Sequence, residues 1–475
     1  MIRCLGESES RRLTATKSAL VPRPPSSRVP LSFQQLWWWN YLEAFGPCMS
    51  ARYFAVVLRL RGRLNVEALR RSLAHVVRRH ESLRTRIIVV DGVPMQEIDA
   101  VPEQALEMLD VRAAGASVES EAKRIVEALV NEPIPADLGP LFGARLLKLA
   151  DREYVFVLAL NHVITDHVSE HVLLRDIWAS YVQFLLVRPL SLPPMPVQYG
   201  DYAIWQRGTH ESWLAKHGHY WESRLENAPR TCFPVKEDAR PAARFRYGQL
   251  QISLGQTITE RLRQLSKRYR TTLVMSVLTG YVALALRWRQ SRDLAIGCLV
   301  SGRNCQELDN SIGFFASVLY LRIKLSEGDT FADLMRGVTR EFCAAYEHYD
   351  AARLSVPMPG PEYRRNTALN WLPRLDGREN SLSELEGSED ALALEPFEYC
   401  NRLFDIEWED RTGISSEDPA LMLSDPPEGI SGFFYYRTDL FGAATMEKLG
   451  RNFRLLIEQM LDDPNRIVES VEYEQ

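Results

Sequence analysis

The chain has 475 residues, of which 46% are hydrophobic and 25% charged, the balance of a globular protein long enough to bury two separate cores. A formal net charge of -5 argues against nucleic acid or an anionic membrane surface as the main partner, and no stretch approaches the roughly 20 consecutive apolar residues of a membrane span. Seven cysteines at scattered spacings, with no Cys-x-x-Cys pair, are expected to be reduced thiols of a cytosolic protein.

Residues 1–28 carry Arg3, Arg11, Arg12 and Lys17, then Pro22-Arg23-Pro24-Pro25-Ser26-Ser27, without an apolar core long enough for a signal peptide. This composition predicts a disordered or partner-docking extension. Ser32 is the expected N-cap of an aromatic-rich helix through Trp37, Trp38 and Trp39. Tyr53 to Leu60 reads as a strand, and Leu64 to His80 as a helix with Val66, Leu69, Leu73, Val76 and Val77 on one face. The cluster Arg79-His80-Glu81-Ser82-Leu83-Arg84-Thr85 follows, either solvated surface or a buried ion pair, before a strand at Ile87 to Val90.

Tyr154 to Leu160 is an almost unbroken run of apolar β-formers, the pattern of a strand covered on both faces. Beyond it Val168, Leu173, Leu174, Ile177, Trp178, Tyr181 and Phe184 recur at helical spacing. His162 therefore falls in a strand-to-helix loop, a place where scaffolds present reactive side chains. A neutral imidazole, with an ordinary pKa near ~6.5, can take a proton from an attacking amine or hydroxyl. Asp166 can hold that ring, pair with an arginine or cap the helix that follows. His167, Glu170 and His171 also spell the HxxEH string of some zinc peptidases, but no third ligand stands out downstream and no metal is expected.

The helix fades into the proline-rich segment Val187 to Pro196, and after Gln198 to Gln206 a polar helix is predicted through about Glu226. A domain boundary is drawn there. In the second half Gln249 to Leu254, Leu294 to Val300 and the end of the Ile312 to Arg322 block read as strands. Thr257 to Tyr269, Thr272 to Trp288, Thr330 to Tyr346 and Met446 to Leu461 read as helices. Arg374 to Leu394 is acidic and poor in β-formers, hence a predicted surface loop. Strands mixed with helices in both halves predict two α/β sandwich domains, 29–226 and 227–475.

Ser32-Phe33-Gln34-Gln35-Leu36-Trp37, Arg79 to Thr85, Asn161-His162-Val163-Ile164-Thr165-Asp166-His167, Tyr199-Gly200-Asp201-Tyr202-Ala203-Ile204-Trp205, Ser301-Gly302-Arg303 and Ile312 to Arg322 occur in that order. In this set and order the chain resembles the condensation domains of nonribosomal peptide synthetases, relatives of chloramphenicol acetyltransferase, from about residue 30 to the end. The resemblance implies two acetyltransferase-like subdomains in a V-shaped pseudo-dimer with a central tunnel. It implies an acyltransferase that joins a carrier-bound acyl or peptidyl thioester to an amine or alcohol, giving an amide or ester. His162 would be the general base or positioning group. Asp166 would be structural and paired with an arginine, Arg303 first and Arg84 second. Ser317, Trp371 and the surroundings of His167 would line the tunnel. No metal or bound organic cofactor is implied. Substrate would arrive on the phosphopantetheine arm of a carrier protein, in trans because no carrier or adenylation segment is visible, and the acceptor would be a small molecule or carrier-bound. The expected setting is cytoplasmic natural-product biosynthesis of nonribosomal or hybrid polyketide type.

Two positions depart from the family's HHxxxDG. Asn161 replaces the first histidine, and His167 replaces a glycine that allows close packing beside the reacting centre. His167 could narrow the tunnel, bind a polar acceptor, act as a second proton carrier or point away. Degenerate motifs of this kind also suit a catalytically silent module that recruits a carrier or a tailoring oxygenase, although retention of His162 and Asp166 favours the enzyme. An epimerase-type relative is a third reading.

Overall fold

The computed structural model describes residues 19–45, 53–131, 139–229, 233, 244–349, 367–372, 381–398, 408–409 and 418–474. Strand β1 (Arg28–Pro30) leads into helix α1 (Phe33–Phe45), which opens on a reciprocal cap. Ser32 Oγ accepts from the Gln35 backbone N–H at 3.1 Å, and Gln35 Oε1 accepts from the Ser32 N–H at 3.1 Å. Then come β2 (Tyr53–Gly62), α2 (Val66–Arg79), β3 (Thr85–Val90), β4 (Val93–Ile98), β5 (Glu107–Asp110), α3 (Val118–Asn131), β6 (Phe142–Ala150), β7 (Glu153–Asn161), α4 (His167–Leu185) and α5 (Tyr199–Leu225). The strand and helix around His162 fall where their patterning predicts. Residues 93–98, 142–150 and 118–131 had no predicted element; β6 and α3 owe their place to one strand, which β6 pairs beside and α3 covers.

That strand is β7. Tyr154, Phe156, Leu158 and Leu160 alternate onto one face, where Leu69 and Leu73 of α2 and Leu173, Ile177 and Trp178 of α4 form the core. Val155 and Val157 point the other way, against Ala122, Val126 and Val130 of α3. Burial on both faces is why every second residue need not be polar.

After β8 (Arg244–Phe245) the second half builds β9 (Tyr247–Ser253), α6 (Gly255–Arg268), α7 (Leu273–Arg289), β10 (Asp293–Val300), β11 (Ser317–Lys324), α8 (Phe331–Glu347) and β12 (Ala368–Trp371). It continues with β13 (Leu392–Pro396), β14 (Trp408–Glu409), β15 (Ala420–Ser424), β16 (Ser431–Arg437) and α9 (Ala443–Asp462). Its sheet runs β11-β10-β12-β15-β16-β9, with β10, β12 and β15 parallel and the remaining pairs antiparallel. Helix α7 is apolar all round because it lies at the centre of this core. Gly280 lets α9 close on it, since a Cβ there would stand 2.3 Å from Ile457 Cδ1.

Two sequence expectations change. The first sheet runs β13-β2-β7-β6-β5, so its edge strand comes from residues 392–396, beginning inside the predicted acidic loop. Its short, proline-ended sequence suits an edge position. Acidic side chains in and before it meet a row of arginines on β2 and just beyond, Arg61 with Glu395 at 3.0 Å and Arg63 with Glu389 at 3.1 Å. A cut at residue 226 therefore separates the two sheets only in part. The predicted N-terminal extension is also bound where it is described: Arg23 pairs with Asp201 and with Glu81, each at 2.7 Å, and β1 pairs with β4. Residues 1–18 of that extension lie outside the described residues.

Candidate active site

The site begins where β7 ends. Asn161, buried, accepts the Val163 N–H on Oδ1 at 2.9 Å and so caps a single turn of 3-10 helix, His162–Ile164. Gln35 of α1 holds the same turn by donating from Nε2 to the Val163 carbonyl at 3.0 Å. The backbone then extends through Thr165 to Asp166, whose Oδ1 accepts the Ser169 N–H at 2.8 Å and caps α4.

His162 is anchored at Nδ1. Nδ1–H donates to the Thr165 carbonyl at 2.9 Å, which puts the lone pair of the neutral ring on Nε2. The Trp38 and Phe314 rings lie against it, at centroid distances of 4.8 and 4.3 Å. Burial among these rings pushes the imidazole down to about 4, against the small opposing pull of the Thr165 carbonyl and Asp166. The ring is thus neutral at neutral pH.

Asp166 is committed elsewhere. It is 2% exposed, and its Oδ2 accepts from Arg303 Nη1 at 3.0 Å and from the Phe315 and Ala316 N–H groups at 3.0 and 3.1 Å. Burial by itself would raise its carboxyl, but Arg303 and Ser169 hold it below the usual range. Arg303 also donates to Ser169 Oγ at 2.8 Å and to the Ser311 carbonyl at 3.1 Å, and stacks on the Phe315 ring at 4.4 Å. Of the three roles open to Asp166, the geometry shows two, the helix cap and the arginine pair. Together they tie the turn to the second half of the chain. Gly302 is required in this crossing: at φ +71° its Cβ would lie 1.9 Å from the Phe315 carbonyl oxygen.

Arg303, not Arg84, meets Asp166. Arg84 sits in the turn before β3 and donates to the Asp99 carbonyl at 2.5 Å, too committed to the small sheet to reach the site. Ser317 is buried at the start of β11, next to Ala316 in the Asp166 network. Trp371 ends β12 and packs on the core of the second sheet. His167 opens α4 and turns its ring back along the helix, with Nδ1 3.1 Å from Glu170 Oε2. Burial raises the Glu170 carboxyl, with His167 opposing. Among the described residues no group of three or more His, Cys, Asp or Glu side chains is arranged to hold a metal ion.

Sequence reasoning missed the aromatic walls as part of the site. Trp38 stood within the predicted aromatic helix and Phe314 within the Ile312 to Arg322 block, but nothing in either marked a contact with His162. It also missed Ser169, which links Asp166, Arg303 and the Gly313 carbonyl, and Asp176. Asp176 is fully buried and accepts from His80 Nε2 at 2.9 Å. Arg79 Nε lies 3.1 Å from the same carboxylate, which decides between the two readings of the Arg79 to Thr85 cluster in favour of a buried ion pair.

Comparison with known proteins bears on the family and the fold. The family model described as "Condensation domain" matches residues 26–355. Phosphinothricin tripeptide synthetase PhsC of Streptomyces viridochromogenes is 32% identical over 97% of this chain and 42% of its own length. A linear gramicidin synthase of Brevibacillus parabrevis is 29% identical over 96% of this chain and 6% of its own length. The chain thus spans less than half of each of these relatives. In fold it is similar to the X-domain solved in complex with OxyB from teicoplanin biosynthesis, with a TM-score of 0.77 at 23% identity over 96% of this chain and 98% of that one. It is likewise similar to the first condensation domain of the calcium-dependent antibiotic synthetase, with a TM-score of 0.72 at 17% identity over 95% and 100%. The mixed α/β architecture, the motifs joined across the two halves and the family match together make this chain a member of the condensation domain family.

Proposed function

We propose that the chain transfers an acyl or peptidyl group from the phosphopantetheine thioester of a carrier protein to an amine or alcohol, forming an amide or ester in cytoplasmic nonribosomal peptide or hybrid biosynthesis. The observation that carries this reading is His162 itself. It is neutral, anchored through Nδ1 and set in the turn where the two halves of the chain are tied together. The nucleophile attacks the thioester carbonyl, the new C–N or C–O bond forms, and the C–S bond breaks. Once bonded to the carbonyl carbon, the attacking group becomes acidic enough for a base as weak as His162. Nε2 takes that proton and passes it to the departing sulfur, so no proton accumulates on the ring. Most of the acceleration comes from aligning the two substrates. The Asp166–Arg303 pair acts on the shape of the turn and not on the reacting atoms. Donor and acceptor identities follow from residues around the turn, with Asn161, His167, Ser317 and Trp371 as the positions to vary first.

The test is intact-protein mass spectrometry of an acyl-loaded carrier, incubated with amines and alcohols and either wild type or His162→Ala. The expected result is acyl loss with matching product, slowed about 100-fold or more in the variant while carrier binding persists. Equal inertness of both proteins, with carrier still bound, would instead favour a recruiting module.

A further inference from the structure

Tyr199 is the first residue of α5 and is buried, with its ring edge-on to Phe315 at a centroid distance of 4.8 Å. The ring fits against Gly313 because that residue has no Cβ, which would stand 1.8 Å from Tyr199 Cδ2. The Tyr199 hydroxyl donates to the Phe314 carbonyl at 2.7 Å and lies 2.7 Å from Ser32 Oγ. A carbonyl oxygen only accepts and a tyrosine has one O–H proton, so the Ser32 hydroxyl is the donor to Tyr199. Ser32 Oγ in turn accepts the Gln35 N–H. One directed chain, from the Gln35 N–H through Ser32 and Tyr199 to the Phe314 carbonyl, therefore joins the start of α1 to the residue whose ring lies 4.3 Å from His162. Buried chains of this kind strengthen link by link.

Both aromatic walls of His162 meet in this chain. Trp38 is carried on α1, whose first turn Ser32 caps, and Gln35 of that turn also holds the Val163 carbonyl. The backbone around Phe314 is held group by group from the first half of the molecule: Ser82 donates to the Ile312 carbonyl at 2.6 Å, Ser169 holds the Gly313 N–H and carbonyl, and Asp166 accepts from Phe315 and Ala316. The Phe314 carbonyl is held by Tyr199.

We infer that Tyr199 is a positioning residue of the His162 site: through the Phe314 carbonyl it sets the aromatic wall against which the imidazole packs. Its effect on turnover rests on the transferase reading above. Without the hydroxyl, the Phe314 carbonyl is a buried acceptor that has lost its donor, and such a group turns toward water. The Phe314 ring moves with it and water reaches the imidazole. A solvated His162 is a stronger base than the ring held at about 4, but it is less confined, and the alignment on which transfer depends loosens. Asp166 and His167, the titratable groups that act on the His162 ring, belong to its own turn and to α4 and are untouched by the change.

The experiment compares wild type, Tyr199→Phe and Tyr202→Phe in two ways: NMR titration of 13C-labelled histidine, and kcat and KM with an acyl-loaded carrier and an amine acceptor. Tyr199→Phe keeps the ring against Gly313 and removes only the hydroxyl. Tyr202→Phe is the matched control, deleting an equally buried hydroxyl of the same helix that accepts from Gln34 and Gln206 at 3.0 Å each. In Tyr199→Phe the His162 midpoint is expected to rise by about one pH unit, and kcat to fall about tenfold with KM within about twofold of wild type. In Tyr202→Phe the midpoint should stay at the wild-type value. An unchanged midpoint in Tyr199→Phe, the same rise in both variants, or a risen midpoint with kcat unchanged would overturn the assignment. If wild type transfers nothing to any acceptor, the transferase reading falls, and the midpoints alone decide whether Tyr199 sets the wall.

Discussion

The tautomer of His162 follows from one hydrogen bond, and its basicity from two aromatic rings. Burial against Trp38 and Phe314 keeps the ring neutral down to about pH 4, whereas in the unfolded chain it protonates near ~6.5. Between those values the unfolded state binds more protons, so this residue's contribution to stability is complete above ~6.5 and is lost as pH falls toward 4, on the order of 3 kcal/mol. NMR titration should find the His162 ring unprotonated at pH 5, and Trp38→Leu should raise its midpoint by reopening the ring to solvent. A midpoint near 6.5 in the wild type would refute the account. The candidate site was legible in His162, Asp166 and Arg303 because each lies in a short motif with a limited set of chemical uses. Trp38 and Ser169 were not assigned to the site, because a side chain that packs on a site residue looks in sequence like any other core or helix residue.

Elements were easiest to read where one face is buried by local periodicity. Helices α2, α6 and α8 have such faces, and β7 announces its double burial by its unbroken apolar run. Strands β12, β15 and β16 are short or built of mixed residues, and their pairing supplies the order that their composition does not. Packing between elements is more exacting than their formation. Helix α7 passes under α9 at Gly280, so Gly280→Val should destabilise the second core by about 1–3 kcal/mol in chemical denaturation, and Ile457→Ala in the same chain should recover part of the loss. Purely additive effects of the two changes would mean that the close approach does not matter.

Across the whole molecule, the two sheets are held together by chain that leaves one half and returns to the other: the loop carrying Arg303 and strand β13. Arg23 bridges Glu81 in the turn before β3 and Asp201 in the first turn of α5, with its side chain only 9% exposed. Arg23→Ala leaves two carboxylates facing each other without their cation, and should lower stability by on the order of 1–3 kcal/mol. An unchanged unfolding midpoint in differential scanning calorimetry would show that this strap contributes nothing. No single helix among the described residues is long and apolar enough to cross a membrane. What the sequence determined by itself was the alternation of strands and helices and the position of His162 between them, because periodicity and capping act over a few residues. Only the tertiary structure decided which arginine meets Asp166, which strand completes the first sheet and which rings enclose the histidine. Those contacts join residues more than 100 positions apart, and no local pattern encodes a partner at that range.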